Sequence, residues 1–520
     1  MNSNETKGGE GGRKPGQAES RAGRPSGYAA ARRRRSRRPK GPLAFLALGL
    51  LLICALLLGS FLGDLYKGDL AAAGQASGEG LDSGREEPEV PPVPEDWEFT
   101  IVSTGDIMMH MPQTNAGRQA DGGYDYTFMF EKVAPILHDA DLVIGNLEVP
   151  LAGEAAGYSG YPMFNAPSVL AKNLKEAGFD VLTTANNHCL DKRFDGLSAT
   201  LDTLDAEGLL HTGTARTAEE QQTILMNEVA GVKIAYIGAT YGTNGINPPK
   251  DKRFSVDYID QNALLDKIAQ ARAQGAQYVI VMLHWGVEYQ PNPNKEQTAL
   301  ARTLLRGGAD LILGNHPHVL QRGEAVRVEE LMASSAGDDP NARVDLSLSR
   351  ASGKDLTKFV MYSQGNFVSN QGDLEKNCSI LLKLTLGVDG ATGEPYFKKA
   401  EYIPIYTQKK NRQGASHHTV WPVEEALALV DTEENPFNSE DKQRLPKAWD
   451  HILASQPAID LLEMADWDLA EPAAGVLETG GGLGTSGGME TGGGSDEASG
   501  GAESARHGQS VPAGGLADAA

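Results

Sequence analysis

Cysteine is scarce in this chain of 520 residues, which has only Cys54, Cys189 and Cys378. Three thiols cannot build a disulfide framework, nor the all-thiolate set of a structural zinc site. Nothing in the spacing supports a Cys189–Cys378 bridge. Cys54 follows Leu52-Ile53, where lipid attachment wants small residues. A basic folding face is also missing. Residues 1–40 hold 12 Lys/Arg and three Glu (+9), so within a total of −22 the chain beyond carries −31. Those cations sit in a Gly/Ser/Pro-rich tail rather than on a foldable surface, which excludes a nucleic-acid binder. Large apolar residues are almost absent beyond Pro472, so residues 472–520 cannot bury enough to fold.

What is present begins with one apolar run. Leu43–Leu62, LAFLALGLLLICALLLGSFL, is about the 20 residues a helix needs to cross a bilayer. It exceeds the apolar core of a cleaved leader, and Gly59-Ser60-Phe61-Leu62 is a poor small-x-small cleavage site. Arg32–Arg35, Arg37, Arg38 and Lys40 precede it, whereas Asp64, Lys67 and Asp69 follow, so the positive-inside rule keeps the N-terminus in the cytoplasm. The expectation is a single-pass cell-membrane protein with its main domain outside.

The chain then divides by composition into a basic tail (1–42), the span (43–62), a Gly/Glu/Pro-rich linker (63–96), a large domain (97–410), a helical extension (411–471) and the Gly-rich tail (472–520). Within the large domain, strand-like runs at 99–104, 142–146, 180–185, 233–239, 278–284, 310–315, 359–363 and 379–386 alternate with helix-period stretches such as 168–178, 194–208 and 295–308. This is the signature of an α/β layered fold. Residues 327–357 lack apolar periodicity and read as a surface insertion. Val420 to Ala470 suggests two or three amphipathic helices anchored by Trp421, Trp449 and Trp467.

Five of the strands end in polar groups: GDIMMH (105–110), GNLE (145–148), ANNH (185–188), LHWG (283–286) and GNHPH (314–318). Carboxyl ends of parallel strands converge on one crevice, so Asp106, Glu148, Asn187, His188, His284, His316 and His318 can meet there. Singly, each has an ordinary alternative: a cap for Asp106, a solvated loop carboxylate for Glu148, a turn for Asn187, core imidazoles for His188 and His284. Five such coincidences at the same relative place argue for one shared site. Its mixed oxygen and nitrogen donors suit Mn²⁺, Fe²⁺ or Zn²⁺. His138, His211, His417, His418, His451 and His507 follow no strand-end motif and are assigned to surface or tail.

In this order and spacing, STGDIMMH, DLVIGNLEVPL, FNAPSVLAKNLKEAGFDVLTTANNHCLD, HTGTA, VIVMLHWGVEY, ADLILGNHPHVLQ and YSQGNFV resemble the CapA family of capsule and poly-γ-glutamate synthesis proteins, across about residues 98–370. That family is similar to calcineurin-like metallophosphoesterases. The resemblance implies a four-layer αββα sandwich of two mixed β-sheets with a divalent-metal centre, of two ions, at the sheet ends. It places Asp106, Glu148, Asn187, His284, His316 and His318 as metal ligands, with Glu148 bridging, and His188 as the proton donor. His110, Asn146 and Asn366 are further candidates. Phosphoesterases have Asp-x-His at the first strand, whereas His110 stands four residues beyond Asp106; Glu148 replaces their Gly-Asp-x-x-Asp pattern. The implied partners are the membrane, a cell-envelope polymer such as poly-γ-glutamate, and other membrane proteins of capsule synthesis. The function implied is a membrane-anchored protein of capsule or poly-γ-glutamate synthesis whose centre acts in polymer processing, transport or anchoring, either as a metal-dependent hydrolase, phosphoesterase or transferase acting on an envelope substrate or as a non-catalytic accessory protein that binds the polymer. In either, cations must neutralise an acidic cleft before an anionic substrate can enter.

Overall fold

The computed structural model describes residues 94–327, 357–412 and 415–461, all within one compact unit, Pro91–Ala520. The expected span, both tails, nearly all of the linker, the interior of the insertion and Trp467 lie outside the described residues. Among the described residues no helix is long and apolar enough to cross a membrane.

Among the described residues, fifteen strands form two mixed sheets. They are β1 (Trp97–Ile107), β2 (Leu142–Leu147), β3 (Val181–Thr183), β4 (Leu210–Thr212), β5 (Leu225–Val229), β6 (Val232–Thr240), β7 (Tyr278–His284), β8 (Leu311–Asn315), β9 (Leu320–Arg327), β10 (Thr357–Gln364), β11 (Asn366–Val368), β12 (Cys378–Val388), β13 (Pro395–Arg412), β14 (Ala415–Pro422) and β15 (Asp460–Leu461). The first sheet runs β14-β13-β12-β1-β2-β3-β4, with β11 on β1 and β15 on β13; the second runs β5-β6-β7-β8-β10-β9. β1 to β4 are parallel, as are β6, β7, β8 and β10.

Side chains alternate along these strands, and both faces are buried. Ile280 and Met282 of β7 join Phe99, Ile144, Tyr236, Leu313 and Met361 in the layer between the sheets. Val279, Val281 and Leu283 point the other way, onto Ile268 and Leu304 of the helices Gln261–Ala273 and Lys295–Arg306. On the far face of the first sheet, Val102 and Val143 pack with Leu170 and Leu174 of the helix Val169–Glu176. The result is four layers, αββα. Burial on both faces is why the strand sequences are unbroken apolar runs. Each buried Val, Leu or Ile contributes about 1.5–3 kcal/mol. Asn294 and Gln297 cap the helix Lys295–Arg306 reciprocally, at 2.8 and 3.0 Å, and Gly308 (φ +111) ends it.

The eight sequence-read strands correspond to β1, β2, β3, β6, β7, β8, β10 and β12. The chain from residue 415 to 461 begins with strand β14 rather than with a helix, and the helices Val423–Leu429 and Ser439–Ser455 follow. Trp421 is buried and Trp449 packs partly against the same core. Cys189 and Cys378 are free and buried in separate hydrophobic clusters. β9 and β10 pair antiparallel with Arg327 opposite Thr357, so the stretch expected to be an insertion begins and ends at one hairpin end.

Candidate metal centre

Parallel strands from both sheets deliver their carboxyl ends to one place. Asp106 ends β1 beside Asn146 of β2, Glu148 follows β2, Asn187 follows β3, His284 ends β7 opposite Asn315 of β8, and His316 and His318 follow β8. The close approach depends on glycine. A Cβ on Gly105 would collide with the Gly365 carbonyl oxygen, and one on Gly314 with the Tyr362 carbonyl oxygen and the Trp285 indole nitrogen.

Asp106 and Glu148 are 0% exposed. Asp106 Oδ1 accepts from Asn146 Nδ2 at 2.7 Å, and Oδ2 accepts from the His316 backbone N–H at 3.3 Å. Glu148 differs: neither carboxylate oxygen has a hydrogen-bond partner. Burial first, then the Asp106 carboxylate beside it, push its pKa well above the usual carboxylate range.

The imidazoles close around it. His284 Nε2 lies 3.0 Å from Asn187 Oδ1 and 3.4 Å from Glu148 Oε1, while Asn146 Nδ2 is 3.4 Å from its Nδ1. His318 Nδ1 lies 3.0 Å from Asn366 Oδ1 and 3.2 Å from Asp106 Oδ2, with Nε2 3.9 Å from Glu148 Oε1. His316 stands 4.8 Å ring to ring from His284, and its buried Nδ1 has no partner. Burial holds His284 well below the ordinary imidazole pKa and takes His316 down to about 3, with neighbouring imidazoles adding to the effect. These two rings are therefore neutral near pH 7, as metal ligation requires. His316 (φ +102) and His318 (φ +58) have left-handed backbones that cost non-glycine residues on the order of 1 kcal/mol each. The fold spends that stability to turn both rings inward.

Among the described residues, three sets of potential donors each converge within 4.8 Å: Glu148, His284 and His316; Asp106, Glu148 and His318; Glu288, His316 and His318. Glu148 belongs to the first two. A buried, partnerless carboxylate shared by two sets and faced by neutral imidazoles fits divalent ions. Asn187 adds an amide oxygen against His284.

His188 is not among these sets. Its Nδ1 lies 2.8 Å from Asp191 Oδ2, which also accepts from the Phe164 backbone N–H at 2.7 Å, and its ring meets Phe164 edge-on at 4.6 Å. His110 is also outside all three sets; its Nδ1 accepts from the Asn370 backbone N–H at 3.4 Å, and burial takes its pKa down to about 4. Asn146 and Asn366 act on ligand candidates, steadying Asp106 and His318. His418, assigned to the surface from sequence, is buried, bonded to Asn370 Oδ1 at 2.9 Å and Ser416 O at 2.8 Å. Its lack of a strand-end motif said nothing about its depth in the hairpin β13–β14.

Sequence reasoning missed Asp191, Glu288 and Asn315, whose buried Oδ1 is also partnerless. Asp191 stands three residues after His188, within reach of its ring. Glu288 follows His284 in the same motif. The mouth around it exposes Tyr241, Val287 and Tyr289; the Tyr241 ring lies 4.4 Å from His316, and Lys376 Nζ lies 3.9 Å from the Tyr289 ring centre.

Residues 100–371 match the family described as bacterial capsule synthesis protein PGA_cap. The chain is 29% identical over 306 residues to the capsule biosynthesis protein CapA of Bacillus anthracis, covering 57% of this chain and 66% of that protein. It is 30% identical over 293 residues to the PGA biosynthesis protein CapA of Bacillus subtilis, covering 55% and 67%. It thus spans about two thirds of each relative's length. Among solved structures it is similar to the calcineurin-like phosphoesterase YfkN of Bacillus subtilis, with a TM-score of 0.35 and 15% identity over 69% of this chain and 99% of that one.

Proposed function

The chain belongs to the bacterial capsule synthesis protein family, and from that premise we propose that it serves capsule polymer biosynthesis through a divalent-metal centre of two ions. The observation that carries this reading is Glu148, buried, without a hydrogen-bond partner and common to two donor sets. Asp106, Glu148, Asn187, His284, His316 and His318 would hold the ions, of the Mn, Fe or Zn class. Bound there, such ions supply Lewis-acid polarisation of a phosphoryl or acyl group and lower the pKa of water toward neutrality.

The polymer is an anionic one of the poly-γ-glutamate kind, in keeping with the names of the relatives, and the centre serves its processing, transport or anchoring. Leu43–Leu62 anchors the chain in the cell membrane, with the domain from Trp97 outside and other membrane proteins of capsule synthesis as partners. The charge asymmetry across the apolar run supports this arrangement.

A hydrolytic reading, with a phosphoester or acyl substrate of the envelope, is favoured by the pair His188–Asp191. Asp191 holds Nδ1 at 2.8 Å, which fixes the ring and leaves Nε2 to hold or deliver a proton at a leaving oxygen. His188→Ala separates the readings. Metal content, by elemental analysis, should stay at the parental level, since His188 lies outside the donor sets. A catalytic role predicts loss of complementation of a capsule-deficient strain, with any hydrolysis in vitro falling by about 10²-fold or more. Full complementation with full metal would leave the accessory, polymer-binding reading in place.

A further inference from the structure

The two deep donor sets share Glu148 and are otherwise made of buried residues, so a hydrated ion has no exposed carboxylate there to meet first. The third set supplies one. Glu288 is exposed, and its carboxylate converges with His316 and His318 within 4.8 Å. The two histidines that complete the outer set are the ones that divide between the deep sets: His316 with Glu148 and His284, His318 with Asp106 and Glu148. His316 offers a partnerless Nδ1 that is itself buried.

The backbone holds this arrangement in place. The Tyr289 N–H donates to the Pro317 carbonyl at 2.8 Å, tying the residue after Glu288 to the turn between the two histidines. Gly286 (φ +91) and Tyr289 (φ +63) bend the chain to reach it, and Gly286 lies tight against Gln297, the residue of the reciprocal helix cap.

We propose that Glu288, His316 and His318 form an outer cation position where a divalent ion is captured before it moves to the deep centre. The inference rests on the metal-centre reading above. An ion held there keeps one histidine whichever deep set it enters: toward His284 it exchanges Glu288 and His318 for Glu148 and His284, and toward Asp106 it exchanges Glu288 and His316 for Glu148 and Asp106, without release to water. Each route breaks two metal–ligand bonds, one of them to Glu288, as two others form. Glu288 is then a loading ligand, and its substitution alters the rate of metal uptake more than the amount held at equilibrium.

The test uses the full chain in detergent, stripped by a chelator and mixed with Co²⁺ in a stopped-flow instrument that follows visible absorption. E288Q should take up cobalt about tenfold more slowly than the parent, with a weaker dependence on ionic strength, because a charge that attracts the ion has gone. Cobalt content after long incubation should equal the parent's, and E288D should recover part of the rate. Uptake by E288Q at the parental rate overturns the proposal, as does a final content that falls in step with the rate, which would make Glu288 a permanent ligand. A parent that takes up no cobalt refutes the metal centre itself; a parent that binds cobalt but does not restore capsule leaves the loading role standing and refutes the pathway role.

Discussion

Replacing Glu148 with leucine should stabilise the metal-free protein and destabilise the metal-loaded one relative to the parent. In the metal-free state both Glu148 oxygens are buried against the Asp106 carboxylate and the His284 ring, and no donor meets them with hydrogen-bond geometry. Leaving a buried acceptor unsatisfied costs about 1–3 kcal/mol, and exchange for an apolar side chain of similar shape recovers it. For a domain of this size about 2 °C accompanies each kcal/mol, so in EDTA the variant should melt about 2–6 °C above the parent. Metal reverses the order. At one hundred times its dissociation constant an ion adds about 2.7 kcal/mol, and two ions about 5. An apolar side chain at this position would serve neither of the two deep donor sets, so the variant loses their share of the gain. Thermal melts in EDTA and in saturating Mn²⁺ should therefore cross. A variant that melts below the parent in EDTA, as an ordinary core truncation does, or that still responds fully to Mn²⁺, refutes the assignment of Glu148.

Gly314→Ala should cost about 3 kcal/mol or more in urea unfolding, since the Tyr362 carbonyl it would strike is fixed by the Trp285 indole N–H at 2.9 Å and cannot yield cheaply. Acid should destabilise the metal-free protein. Burial takes His110 down to about 4, and His316 and His418 to about 3, so the unfolded chain, with imidazole pKa about 6.5, binds protons that the fold refuses. Their contribution is complete above pH 6.5 and is lost as pH falls, by about 1 kcal/mol per group per pH unit between pH 6 and 4. Glu148, raised by burial, acts in the opposite sense and offsets part of this loss, whereas His284, lowered by burial, adds to it. Urea unfolding at pH 7, 6 and 5 in EDTA measures the slope; a flat profile would contradict the burial of these rings.

The convergence of these residues was legible because they sit at strand ends, and each strand is an apolar run ending in a polar word. The edges were less legible. β5 and β9 lie at sheet margins and carry residues open to solvent, so no continuous apolar run appears, whereas β13 and β14 interrupt the run with buried polar residues such as Gln408 and His418. Asn146 and Asn366, further candidates from the motifs, hold their amides against Asp106 and His318, an orientation that a motif does not give. Glu288 escaped because an exposed loop carboxylate resembles many others until the Tyr289–Pro317 hydrogen bond places it against two histidines. His418 shows the converse: depth within a hairpin leaves no periodic mark on a sequence of alternating polar residues.

The pairing of Arg327 with Thr357 also bears on how such a gene can change. β9 starts next to the histidine turn and runs eight residues away from it, about 25 Å, before the chain leaves the sheet. Whatever is spliced between those two residues has its ends already joined by a hairpin, and each doubling of its length adds only about 0.6 kcal/mol of closure entropy. A change of length there leaves the strand ends that carry the donor sets where they are. The same junction is a natural port for a fluorescent reporter or an affinity tag.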